Sequence, residues 1–235
     1  MKKLTVEELV QEIENFKIQE NNLDYQNFIF KKLKYNDYGF MVFGKDEYNE
    51  KNDSEVCKKL GNTLYKERYY YCEKIPNKNS KKSIIFILFN PSTACPEKRD
   101  PTIENCVNLI KKNPEYDYEY MEVLNVFSSR NPVVDKKFLK TFDNKININF
   151  IDSFLTTRTN TDVVIGWGYA KKEDYSKEIE KIKDILNKCK LNLFYISVNT
   201  KDENFINDIA KKQRHPGNQS WSALGGFKYA KLEKI

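Results

Sequence analysis

The sequence holds one histidine in 235 residues, His215. That excludes any site needing two histidines from this chain, including the common His-rich zinc sites and a His–His acid/base pair. Any imidazole chemistry falls on that one position. The five cysteines, at 57, 72, 95, 106 and 189, are odd in number and form no C-x-x-C. A disulfide framework, a structural zinc site and an iron–sulfur site all lose support, and no metal or other cofactor is expected. Reduced thiols fit a cytoplasmic protein. No apolar run approaches the roughly 18 residues of a membrane span, and mean hydropathy is −0.73, so no membrane partner is expected. The first residues, Met1-Lys2-Lys3-Leu4-Thr5, run straight into Glu7 and Glu8, without the apolar stretch of a secretory leader. Also missing are G-x-x-x-x-G-K-[ST], G-x-G-x-x-G and G-x-S-x-G. P-loop kinase, dinucleotide dehydrogenase and serine hydrolase readings lose their main support with them.

What is present is aromatic and mildly basic. The chain has 15 Tyr and 15 Phe, too rich for a disordered segment. Its net charge of +6 comes from 40 Lys plus Arg against 34 Asp plus Glu. The excess is scattered; it permits phosphate contacts without showing them. The length suits one large domain, or a domain with a short extension.

Residues 5–18 read as an amphipathic helix. Thr5 and Glu8 fit a capping box, Leu4 and Leu9 a hydrophobic staple, and Val6, Leu9, Val10, Ile13 and Phe16 fall on one face. Residues 28–43 read as a hairpin turning around Asn36-Asp37-Tyr38-Gly39. Residues 44–55 are polar and loop-like, so residues 1–60 are expected to form an extension, helix plus hairpin, packed on a core domain over 61–235. In that domain strands are expected at 84–89, 120–127, 163–167 and 191–198. Helices are expected at 103–112, 144–158, 174–189 and 203–212. The alternation predicts an α/β fold: three layers, α/β/α, around a central, mostly parallel four-stranded sheet.

In an open α/β sheet, ligands bind beyond the carboxyl ends of the strands. After the first strand come Asn90-Pro91-Ser92-Thr93-Ala94 and then Asp100-Pro101-Thr102. The second strand ends at Asn125, followed by Ser128, Ser129 and Arg130. The third leads into Gly166-Trp167-Gly168-Tyr169-Ala170, and the fourth, with its following helix, into Arg214-His215-Pro216. Four distant segments therefore bring amides, hydroxyls, two arginines and the only histidine to one edge.

These blocks resemble those of the domain-of-unknown-function family numbered sixteen forty-three. Its signature runs LNPSTA, DDPT, NLFA-x-R, WG and PRHP in that order, and the resemblance covers about residues 65–225. Arg99 stands where that family usually has a first Asp. The same blocks more remotely resemble the uracil-DNA glycosylase superfamily. That superfamily has an Asn-Pro after a buried strand, like Asn90-Pro91, and a base-reading Leu-Asn at a strand end, like Leu124-Asn125. Its Trp-Gly block is similar to Trp167-Gly168. Its His-Pro motif and DNA-wedging loop are similar to His215-Pro216 and the stretch Trp221–Leu224.

The resemblance implies a uracil-DNA-glycosylase-like fold and a ligand that is a nucleobase, a nucleotide or DNA. It implies that Asn90 positions a water, Asn125 reads the base and His215 stabilises the leaving base. Pro91, Ser92, Thr93, Asp100, Arg130, Trp167, Gly168 and Arg214 would line the ligand site. The alternative is a non-catalytic protein that uses the same pocket to sense or sequester a nucleotide-like ligand. Each residue also has an ordinary structural reading. Asn90-Pro91 is a common turn, Asp100 fits a helix cap, Trp167 fits a core, and Arg130 and Arg214 fit a solvated surface.

Overall fold

A computed structural model describes residues 1–16, 22–44, 67–76, 80–91, 94–113, 115–130, 142–168, 176–198 and 230–235. Helix α1 spans Val6–Phe16 and begins as its capping box requires. Thr5 N donates to Glu8 Oε2 at 2.8 Å, and Glu8 N donates to Thr5 Oγ1 at 3.2 Å. Leu9, Val10, Ile13 and Phe16 are its buried face. The hairpin comes next as β2 (Phe28–Leu33) and β3 (Asn36–Gly44), preceded by the short β1 (Leu23–Asp24). Its turn lies at Lys34-Tyr35, and Asn36 already pairs with Leu33.

After the hairpin come β4 (Arg68–Lys74), β5 (Ser83–Leu88), α2 (Pro101–Lys112), β6 (Tyr120–Asn125) and α3 (Lys145–Thr156). The last elements are β7 (Asp162–Ile165), α4 (Ser176–Lys188), β8 (Asn192–Val198) and β9 (Ala230–Lys234).

The expected central, mostly parallel four-stranded sheet of uracil-DNA-glycosylase type is not the architecture found. Among the described residues the strands form one nine-stranded mixed sheet in the order β1-β2-β3-β4-β6-β5-β7-β8-β9. Pairs β6/β5, β5/β7 and β7/β8 are parallel; the other five pairs are antiparallel. The reason lies in β3 and β4. β4 reads Arg-Tyr-Tyr-Tyr-Cys-Glu-Lys and is buried along its first six residues, and the last six residues of β3 are buried too. Strands buried on both faces belong inside a covered sheet, so the hairpin is continuous with the β6 edge through β4. β9 closes the far side against β8.

Two apolar layers flank the sheet. One holds α1, α3 and α4 against residues such as Phe40, Tyr70, Ile85, Leu124 and Val163. The other holds α2 against Phe43, Tyr71, Phe86, Leu88 and Val123. No helix among the described residues is long and apolar enough to cross a membrane.

Candidate ligand-binding site at the strand ends

The carboxyl ends of β5, β6 and β7 lie level with one another. Leu88 is the register partner of Asn125, and Ile87 that of Ile165. The backbone stays paired just beyond them. Val126 N donates to Leu88 O (2.8 Å), Phe127 N to Phe89 O (3.0 Å) and Gly166 N to Ile87 O (2.9 Å). Asn90, Asn125 and the Trp167-Gly168 step are therefore brought to one edge by adjacent strands. Gly168 has φ 80°, a conformation that residues with a Cβ rarely adopt and that glycine, lacking one, takes without steric cost.

Asn125 is held from behind. At the start of α3, Asn147 Nδ2 donates to the carbonyls of Asn125 and Val126, both at 3.0 Å. Asn144 Nδ2 donates to Val126 O at 2.7 Å. These bonds fix the Asn125 backbone, and the side chain points to the α2 face, with its partner Leu88. The side chain is 1% exposed, and neither Nδ2 nor Oδ1 has a hydrogen-bond partner among the described residues. Buried amides are nearly always paired, so this one calls for an explanation.

The Asn-Pro-Ser-Thr-Ala segment is anchored at its last residue. Ala94 N donates to Asp100 Oδ2 at 3.1 Å. Ala94 O accepts from Arg130 Nη2 at 3.1 Å and from Arg68 Nη1 at 3.5 Å. Asp100 Oδ1 meanwhile caps α2 by accepting from Ile103 N at 2.8 Å, with Pro101 in the first turn. Asp100 is thus both the helix cap read from the sequence and the anchor of the preceding loop. Arg130 is fully buried, not a solvated surface charge, and lies over the Phe43 ring at 5.6 Å. Arg68 is 2% exposed and sits 5.6 Å from the Tyr71 ring. Burial pulls its guanidinium below the usual range, and Asp100 is the charge that most opposes this.

The remaining candidates divide. Asn90 is half-buried, and its Nδ2 donates to Pro91 O at 3.3 Å. Phe89 beside it packs edge-on against Phe127 at 5.4 Å. Trp167 belongs to the apolar layer of α3 and α4. Ser92, Thr93, Arg214 and His215 lie outside the described residues, as do the expected helix at 203–212 and the stretch Trp221–Leu224. Sequence reading missed Arg68, Asn144 and Asn147 as site residues. The available signal for Arg68 was a charged residue opening an otherwise aromatic run, Arg68-Tyr69-Tyr70-Tyr71. Among the described residues, no group of three or more His, Cys, Asp or Glu could hold a metal ion.

A mixed α/β sheet with Asn-Pro, Asp-Pro-Thr, Asn and Trp-Gly blocks along its strand-end loops defines the class. The chain belongs to the family described as "Protein of unknown function (DUF1643)", whose family model matches residues 68–216. No curated protein and no solved structure matches it.

Proposed function

We propose that the chain cleaves the N-glycosidic bond of a nucleobase-bearing ligand and reads the base with Asn125. The observation that carries this reading is the Asn125 side chain, buried with both amide atoms unpartnered among the described residues. Leaving a buried polar group unsatisfied costs about 1–3 kcal/mol. A ligand offering an adjacent acceptor and donor recovers that cost, and the amide-like edge of a pyrimidine has this pair. Asn90, on the next strand end, has a neutral amide that orients a water but takes no proton from it.

That limit suits a dissociative route. The C1′–N bond breaks with its electron pair leaving on the base; water then adds to the sugar carbon, and its surplus proton ends on the base. His215 is assigned the N–H donor to the base oxygen where negative charge develops. The motif likeness of Asn90-Pro91, Leu124-Asn125 and His215-Pro216 to the uracil-DNA glycosylase superfamily supports the same roles. One observation favours a second reading. The Asn90 Nδ2–Pro91 O bond is the local bond of a turn residue, which fits a protein that senses or sequesters the ligand without cleaving it.

Base release from a panel of nucleosides, nucleotides and uracil-containing DNA separates the two. The enzymatic reading expects release by the wild type. It expects loss of release with retained binding in Asn90→Ala and His215→Ala, and loss of both in Asn125→Ala. Binding without release from any member establishes the sensing protein. Neither binding nor release sinks both.

A further inference from the structure

Beside Asn125, at the same end of the sheet and on the same face, lies a guanidinium that no carboxylate pairs among the described residues. Arg68 opens β4, the strand next to β6. It lies against Tyr71, whose register partner Val123 is two residues before Asn125 and therefore on its side of the strand. The Arg68 Nη1 reaches Ala94 O at 3.5 Å, and its buried Nε has no hydrogen-bond partner among the described residues.

The other partly buried arginines are treated differently. Arg99 meets Glu73 at 2.9 Å and Glu104 at 3.0 Å, and Arg158 meets Glu122 at 3.3 Å. The Asp100 carboxylate near Arg68 is already committed, one oxygen to Ile103 N and the other to Ala94 N. Arg130 then adds a second guanidinium on the same Ala94 carbonyl. A carbonyl accepts a hydrogen bond but does not neutralise a buried charge. An oxyanion does both, and the planar fork of a guanidinium fits two oxygens of one phosphate.

We infer that Arg68 forms an anion subsite next to the Asn125 amide, so that the ligand is a nucleotide: its phosphate lies on this guanidinium and its base on Asn125. This rests on the base-reading role proposed above. It narrows the ligand class from nucleobase, nucleoside or nucleotide to the phosphorylated form.

The test is calorimetric titration of the full chain with uridine and cytidine 5′-monophosphates, the matching nucleosides and inorganic phosphate. The nucleotide is expected to bind at least about tenfold tighter than its nucleoside, the scale of one charge-assisted contact. Arg68→Met should erase that preference, and Arg68→Lys, which keeps the charge but not the fork, should restore part of it. Equal affinity for nucleotide and nucleoside overturns the subsite and leaves the base reading standing. A folded Arg68→Met chain that keeps the preference overturns it too. If phosphate and nucleotides bind and Asn125→Ala changes neither, the base reading fails while the subsite stands. If no probe binds the wild type, both fail. Should Arg68→Met not fold, the nucleotide–nucleoside ratio of the wild type decides.

Discussion

Strand β6 carries two buried polar side chains three residues apart, and the chain handles them in opposite ways. Glu122, fully buried on the α1/α3 side, meets Arg158 at 3.3 Å, and Arg158 in turn pairs with Glu14 of α1. The guanidinium also lies over the Phe154 ring at 4.5 Å. Burial acts to lower the Arg158 pKa, but the charges of Glu122, Tyr70 and Glu14 outweigh it and hold the group above its ordinary value. On the α2 side, among the described residues, the Asn125 amide has no hydrogen-bond partner and the neighbouring Arg68 meets a carbonyl but no carboxylate, and Arg68 is shifted downward. The two arginines thus shift in opposite directions: burial governs Arg68, which is 2% exposed, whereas paired carboxylates govern Arg158, whose side chain is 18% exposed. The first arrangement ties α1, β6 and α3 together through ion pairs that neutralise the guanidinium, although its Nε, like that of Arg68, has no hydrogen-bond partner among the described residues. The second leaves hydrogen-bonding capacity unused at a strand end, where ligands bind in α/β sheets.

The largest expected effect breaks the satisfied side. Arg158→Met removes the ion pair of the fully buried Glu122 and should cost about 3 kcal/mol in urea unfolding. Arg68→Met removes a guanidinium with no ion pair among the described residues, and Arg130 still serves the Ala94 carbonyl. Its cost should stay below about 1 kcal/mol. Similar losses for both variants would erase the distinction between the two sites. Asp100→Ala ranks second. It removes the α2 cap and leaves the buried Ala94 N–H unpaired, for a loss of about 2 kcal/mol, and it should also release the loop that carries Asn90.

Asn125→Leu should act in the other sense. Replacing an unpartnered buried amide with an apolar group of similar size is expected to leave stability unchanged or raise it by about 1 kcal/mol, while ligand binding disappears. A destabilised variant would mean that the amide already has a structural task.

The smallest effect is on the alkaline side. Burial, followed by Glu12, raises the Tyr25 pKa from 10.0 to about 12; for Tyr195 the Glu233 hydrogen bond leads and burial is second, again to about 12. For each, the folded state holds its proton more tightly than the unfolded chain. The stability they contribute is complete below pH 10 and declines as pH rises towards 12. Tyrosinate absorbance measured alongside circular dichroism should show ionisation and unfolding advancing together over that interval. Full ionisation near pH 10 with the fold intact would remove the effect.

Much of the local structure is readable in the sequence, because it depends on neighbours along the chain. The Thr5–Glu8 box, the Asp100 cap and the apolar run of β5 each declare themselves within a few residues. Asn90, Asn125 and the Trp167-Gly168 step stand out because each sits at the end of a buried apolar run, where the pattern turns polar or glycine-rich. Sheet order is not readable in this way. Nothing local in Arg68–Lys74 says that it pairs with β6 and so links the hairpin to the parallel strands, and the expected four-stranded sheet failed on that point. The same non-local pairing hid Arg68. Its meaning depends on Ala94 and Tyr71, which a strand order must first bring together. Asn144 and Asn147 escaped for a related reason. They act on the carbonyls of residues 125 and 126, and a helix-start asparagine gives no hint of such a partner.

The place of β4 between β3 and β6 also sets an order of events during synthesis. β3 can dock β4 as soon as both exist, but β4's other neighbour begins only at Tyr120. Until then an aromatic strand, Tyr69-Tyr70-Tyr71, presents an open backbone edge, because β5, made in between, lies beyond β6 and does not touch it. Such an edge is a template for pairing with another chain. The nascent polypeptide therefore carries its greatest risk of misassembly between the emergence of β4 and that of β6, and slowed elongation across this interval should increase the aggregated fraction.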